Sequence, residues 1–184
     1  MVSADTSIPP VTVPPTVVVL MGPAGSGKSL VGTRLAVALG WPFYEGDAYH
    51  PPANVARMHA GIPLTDADRA PWLAALATII ARAVAADAPA VLACSALKHA
   101  YRGALVPAGA PAGAVRFVYL RADPALLANR LAGRPGHFFA PALLASQIAT
   151  LELPDDAEPA PVLTVDAAHA PDGLVGEIRR AFSV

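Results

Sequence analysis

The segment Gly22-Pro23-Ala24-Gly25-Ser26-Gly27-Lys28-Ser29 fits the pattern G-x-x-x-x-G-K-[ST] at every defined position. The chemistry suited to that pattern is the grip of a nucleoside triphosphate. Glycines let the backbone curl so that successive N–H groups point at phosphate oxygens. The helix that follows adds the positive end of its dipole. Lys28 then reaches the β- and γ-phosphates, and Ser29 offers its hydroxyl to Mg²⁺. A glycine-rich turn with a chance lysine is the bland alternative. The context argues against it, because an apolar run precedes the segment and a helical pattern follows. The motif selects a triphosphate but leaves kinase, ATPase and GTPase open.

Further along, Glu45-Gly46-Asp47 carries two carboxylates two residues apart at the end of a second short strand. Strand alternation points both the same way. Glu45 is expected to hold a Mg²⁺-bound water and Asp47 to take a proton from an attacking hydroxyl. An isolated acidic turn would read the same, but a strand parallel to the first opens its C-terminal end into the same crevice. His50, Asn54 and Arg57 follow as candidate substrate contacts.

Pro71 marks a helix start over Trp72–Ala86, with Asp66 and Asp68 ahead of it. Capping and dipole chemistry explain the two aspartates. They do not explain Arg69, a permanent cation where the dipole disfavours it; an anionic ligand would. After a third strand come Cys94-Ser95-Ala96-Leu97-Lys98 and Arg102. Ser95 either caps the next helix or binds substrate. Lys98 and Arg102 share a helix face and read equally well as anion ligands or surface charges. Cys94 reads as a small buried residue, not a nucleophile. Arg130, Arg134 and His137 flank Gly133, Pro135 and Gly136. A segment of that kind, at about residues 131–141, is expected to act as a lid whose arginines stabilise transferring charge. For Arg130, the favourable dipole at a helix end is the competing reading.

These residues need a scaffold. Apolar, β-branched runs at Val17–Met21, Ala90–Cys94, Val115–Leu120 and Val162–Val165, with Phe43–Tyr44 ending another, read as strands. Helical patterns occupy Lys28–Leu39, Pro124–Leu131, Pro141–Leu151 and Leu174–Phe182 between them. Alternation of this kind means a parallel sheet covered on both faces, a three-layer α/β/α fold. Residues 16–184 form one domain, and residues 1–15, rich in Pro, Ser, Thr and Val, form a flexible tail. With 13 Lys plus Arg against 14 Asp plus Glu, nothing favours a nucleic-acid backbone as partner. One cysteine excludes an internal disulfide and cysteine-rich zinc sites. The longest uncharged stretch is broken by prolines and is no membrane helix. Cytoplasmic location is the expectation.

Taken together, the P-loop, Glu45-Gly46-Asp47, His50-Pro51, Asn54, Asp68-Arg69-x-Pro71-Trp72-Leu73, Cys94-Ser95-Ala96-Leu97-Lys98, Tyr101-Arg102, Gly136-His137-Phe138 and Ser146-Gln147 resemble the gluconokinases, in the shikimate-kinase-like branch of P-loop kinases. The resemblance implies a fold like nucleoside monophosphate kinases, with a five-stranded parallel sheet of order 2-3-1-4-5 and a lid. It also implies Mg²⁺-dependent transfer from ATP to D-gluconate, giving 6-phosphogluconate, and a homodimer. Shikimate or another small hydroxy acid is the nearest alternative acceptor; a non-catalytic ATP-binding regulator is the alternative of another class. The chain departs from the family at Glu45, where Asp is usual, at Pro23-Ala24, where Val-Ser is usual, and at Arg57, where Lys is typical.

Overall fold

The computed structural model describes residues 14–133 and 141–184. The greater part of the expected tail and lid, with Arg134 and His137, lies outside them. Five strands, β1 (Val17–Met21), β2 (Phe43–Glu45), β3 (Ala90–Ala93), β4 (Val115–Arg121) and β5 (Val162–Asp166), form one sheet in the order β2-β3-β1-β4-β5. All its pairings are parallel. The helices are α1 (Lys28–Leu39), α2 (Pro52–His59), α3 (Asp66–Ala85), α4 (His99–Leu105), α5 (Pro124–Ala132), α6 (Pro141–Thr150) and α7 (Pro171–Phe182).

The period-2 geometry of β1 divides the core. Val17, Val19 and Met21 face one way and pack with Trp72, Leu76 and Ile80 of α3 and Tyr101 of α4. Val18 and Leu20 face the other way and pack with Val31 and Leu35 of α1 and Ile178 and Phe182 of α7. Both faces of the central strand are therefore apolar, which is why it reads as an uninterrupted hydrophobic run. The expected three-layer architecture and strand order are both observed.

β1 lies between β3 and β4, so the chain leaving β1 and the chain leaving β3 diverge around a crevice at the C-terminal edge of the sheet. Two local readings fail there. First, α3 begins at Asp66, six residues before the expected start, and Pro71 is inside it. Thr65 caps the helix: its hydroxyl accepts from the Asp68 N–H and the Asp68 carboxylate accepts from the Thr65 N–H at 2.8 Å. That reciprocal cap starts the helix upstream of a proline whose missing N–H removes only one bond near its beginning. Second, the strand ends at Glu45, and Gly46–Tyr49 forms a 3₁₀ turn. Strand alternation therefore does not carry Asp47 to the same side as Glu45.

Candidate active site

The phosphate loop joins β1 to α1. Gly22, Gly25 and Gly27 all have positive φ, and a Cβ on Gly25 would come within 2.9 Å of the Leu127 carbonyl of α5. Side chains are excluded at Gly25 both by conformation and by the close approach of a neighbouring helix. The Gly22 N–H donates to Ser95 O at 3.1 Å, which ties the loop to the segment leaving β3. Lys28 Nζ donates to the carbonyls of Gly22 and Pro23, each at 2.9 Å, and so lies along the inner rim of the loop.

Asp47 is aimed by the groups around Gly46. A Cβ at Gly46 would sit 2.1 Å from Ala93 O, so only glycine lets the turn press against β3. Trp72 Nε1 donates to Gly46 O at 2.7 Å and fixes the turn from α3. His50 stacks on the Trp72 indole with ring centroids 4.2 Å apart. Asn54 is buried and donates to Asp68 O at 2.7 Å, with His50 Nδ1 3.4 Å from the same amide nitrogen. Burial holds the His50 imidazole below its usual pKa; nearby Asp47 opposes that shift and Arg69 adds to it.

These elements enclose a cleft of about 220 Å³ whose walls include Lys28, Ser29, Asp47, His50, Arg69 and Ser95. Arg69 is 8 % exposed. Its guanidinium lies 5.7 Å from the Tyr101 ring centroid and donates to the Tyr101 hydroxyl at 3.4 Å. Among the described residues no carboxylate comes within ion-pair distance of it. Tyr101 donates in turn to Asp66, which also binds Lys98 at 2.7 Å. The Lys98 and Tyr101 bonds hold the Asp66 carboxyl below its ordinary pKa, while burial and then the Asp66 bond push the Tyr101 phenol up.

Several expected contacts lie elsewhere. Glu45, Asn54, Arg57, Lys98 and Arg102 are not on the cleft wall. Asn54 is a brace between α2 and α3. Arg57 lies 3.5 Å from the Asp68 carboxylate. Lys98 is neutralised by Asp66. Arg102 corrects the sequence reading most clearly: it is fully buried, its Nε and Nη2 donate to Glu158 at 2.6 and 2.5 Å, and Nη1 donates to Ala96 O, Leu97 O and Glu152 O. A guanidinium so enclosed is a strut for the Ser95–Lys98 segment, whose Ala96 has the strained φ of 43°. Cys94 is buried, and burial pushes its thiol up to about 12, so it is no nucleophile.

Arg130 reaches the other flank of the phosphate loop. It donates to Ala167 O at 2.8 Å and lies 3.4 Å from Gly25 O and Ser26 O. It borders a second hollow of about 240 Å³, shared with Gly27, Leu30, His169 and Pro171. Sequence reasoning missed this hollow, because the loop after β5 carries no phosphate-binding motif. Gln147 of α6, which enters the sequence reading only within the resemblance and without a role, accepts from the Ala24 N–H through Oε1 at 2.7 Å; a polar residue at helical spacing offers no sign of a partner 123 positions away.

Comparisons with known proteins agree with this geometry. Residues 17–154 match a family model described as an AAA domain. A gluconokinase of Gluconobacter oxydans is 49% identical over 168 residues, covering 91% of this chain and 92% of its own. The crystal structure of a gluconokinase from Sinorhizobium meliloti superposes with a TM-score of 0.78 at 44% identity, covering 92% of each chain. That of a sugar kinase from Janibacter gives 0.84 at 37% identity, covering 93% of this chain and 96% of the other. Identity at this level over nearly the full length of both partners, on a cleft that joins a phosphate loop to an acid and a buried arginine, shows that the chain belongs to the gluconokinase family of P-loop kinases.

Proposed function

We propose that the protein transfers the γ-phosphoryl group of ATP to the terminal hydroxyl of D-gluconate, yielding ADP and 6-phosphogluconate. The observation that carries the reading is the shared cleft: Lys28 and Ser29 on one wall, Asp47 beside them, and a buried Arg69 with no carboxylate in ion-pair distance among the described residues. A buried cation in that condition calls for an anion, and the carboxylate of a sugar acid supplies one through charge-assisted hydrogen bonds. Shikimate and other hydroxy acids are not favoured by the family to which the chain belongs.

The triphosphate lies along the phosphate loop, with the base directed to the hollow beside Arg130 and His169. Lys28 balances charge on the β- and γ-phosphates. Gluconate enters with its carboxylate on Arg69, with His50 and Ser95 lining its path. Asp47 orients the terminal hydroxyl and accepts its proton as the oxygen attacks the γ-phosphorus; the bond to the β–γ bridging oxygen breaks and ADP leaves. Arg130, and by the lid expectation Arg134 and His137, complete the charge field around the transferring group.

A magnesium ion fits this donor set. Ser29 lines the cleft, and its hydroxyl is a hard oxygen of the kind Mg²⁺ prefers; Glu45 stands off the cleft wall, directly before the turn that bears Asp47, so any part it takes is through water. Ser29 would ligate it directly and Glu45 through water. When bound, such an ion supplies neutralisation of phosphate charge. No described helix is long and apolar enough to cross a membrane; a cytoplasmic homodimer completes the proposal by family resemblance.

Coupled measurement of ADP release with gluconate, with shikimate and with no acceptor tests the reading. Release that depends on gluconate is expected. Asp47→Asn should lower turnover by orders of magnitude and leave ATP affinity nearly intact. Normal turnover in that variant would remove Asp47 as base, and acceptor-independent release would leave only an ATP-binding regulator.

A further inference from the structure

Ser146-Gln147 is a motif to which the mechanism above gives no part. α6 packs Leu144 against Leu127 and Leu131 of α5, with Ala24 and Ile148 at the margin of that cluster. The same helix turns Leu143, Ser146 and Gln147 onto the cleft wall. The Ala24 N–H can only donate, so the group it meets at 2.7 Å must be the carboxamide oxygen of Gln147. That fixes the amide orientation without appeal to convention. The Nε2 of the same amide, with two N–H donors, takes no acceptor among the described residues, and Gln147 lines the cleft that also holds Lys28 and Asp47.

The phosphate loop is also unusual at this point, because Pro23 has no N–H. With the Ala24 N–H directed to Gln147, neither of these two loop positions has a backbone N–H left for the phosphoryl group, and Gln147 stands beside them on the cleft wall.

We propose that Gln147 is a positioning residue for phosphoryl transfer, anchoring its oxygen on the phosphate loop and presenting its N–H₂ to the γ-phosphoryl oxygens or to the acceptor hydroxyl as they meet. The inference rests on the kinase reading and assigns a residue of α6 to it. A preorganised donor of this kind acts on the step in which charge moves, so its loss falls on kcat more than on KM for gluconate.

The test uses two variants of the full-length chain. Gln147→Met keeps the length of the side chain and removes donor and acceptor together. Gln147→Glu keeps an acceptor for the Ala24 N–H but has no donor when ionised. Both should lose about 10²-fold in kcat near neutral pH. Gln147→Glu should also keep the native melting temperature. As pH falls from about 7.5 to about 5.5, a carboxyl raised by nearby phosphates gains a proton and recovers one donor and one acceptor. Its kcat, divided by the native value at each pH, should therefore climb. The division cancels pH effects that native and variant enzymes share; the other charged or titratable groups around the cleft are Lys28, Asp47, His50 and Arg69. Native kcat in Gln147→Met, or a ratio for Gln147→Glu that stays flat with pH, overturns the proposal while leaving gluconate phosphorylation standing. A native enzyme that turns over no acceptor overturns both.

Discussion

Arg102 offers the sharpest quantitative test, because two readings of one side chain predict opposite measurements. As a substrate ligand it would set the KM for gluconate and matter little to stability. The structure makes it a strut. Its guanidinium is 0 % exposed and Glu158 5 % exposed, and they are joined by two charge-assisted bonds. Removing one member of a buried pair leaves the other charge uncompensated, at about 3–5 kcal/mol. For a chain of this size each kcal/mol lowers Tm by about 2–4 °C, so Glu158→Leu should lower Tm by about 6–20 °C. The double variant Arg102→Met with Glu158→Leu removes both charges, and for a simple ion pair that is often neutral or stabilising. Here it should not recover. Leu97 O keeps the Glu152 N–H, but Ala96 O and Glu152 O lose their only protein donor among the described residues. Glu152 is an exposed residue whose carbonyl can turn to water, but Ala96 is fully buried, and its orphaned carbonyl leaves a deficit of about 1–3 kcal/mol. Urea unfolding followed by circular dichroism, with Tm by calorimetry, measures both variants. A double variant with native stability would refute the strut. So would an Arg102→Met variant with native Tm and a raised KM for gluconate, which would return Arg102 to the substrate site.

Gly46→Ala should damage activity more than an exposed substitution can. Its methyl would collide with the Ala93 carbonyl, at about 1–3 kcal/mol of overpacking, and relief must shift the turn that carries Asp47; kcat should fall with ATP affinity near native, and equal kcat would dissociate the turn from the base. Acid should destabilise the protein through His50. Its folded pKa lies below the ordinary 6.5, so the unfolded chain binds the proton more readily; the stabilisation is complete above pH 6.5 and is lost as pH falls through the folded value. Urea midpoints between neutral pH and about pH 5.5 should decline, and His50→Gln should flatten that slope; an unchanged slope would show that His50 is not the group involved.

How much of this was legible beforehand follows the range of the interactions concerned. The phosphate loop and the layered sheet are local patterns: β-branched runs, a glycine motif and a helix beginning at Lys28 are written in neighbouring residues. The start of α3 is also written locally, in the Thr65-Asp66-Ala67-Asp68 stretch, but a proline is a louder signal than a capping box and draws the boundary to itself. Asp47 lines the cleft as its neighbourhood suggests, but Glu45 does not share that wall, because strand alternation ends once Gly46 turns against β3. The side chains that assign roles to the rest act across long sequence separations. Arg102 was ambiguous until Glu158 stood beside it, 56 positions away.

That separation of scales has a consequence for how the site works. Groups proposed to act on the reacting atoms, Lys28, Ser29 and Asp47, sit on segments leaving β1 and β2, whose pairing with β3 fixes their relative height. Their orientation is set from the other layer: Trp72 of α3 holds the Gly46 carbonyl, Tyr101 of α4 holds Arg69, and Gln147 of α6 holds the Ala24 N–H. The sheet locates the chemistry and the helices aim it. Substitutions at the aiming contacts should therefore lower kcat in a folded protein, whereas substitutions at Arg102, which holds the backbone of the cleft itself, should show first as lost stability.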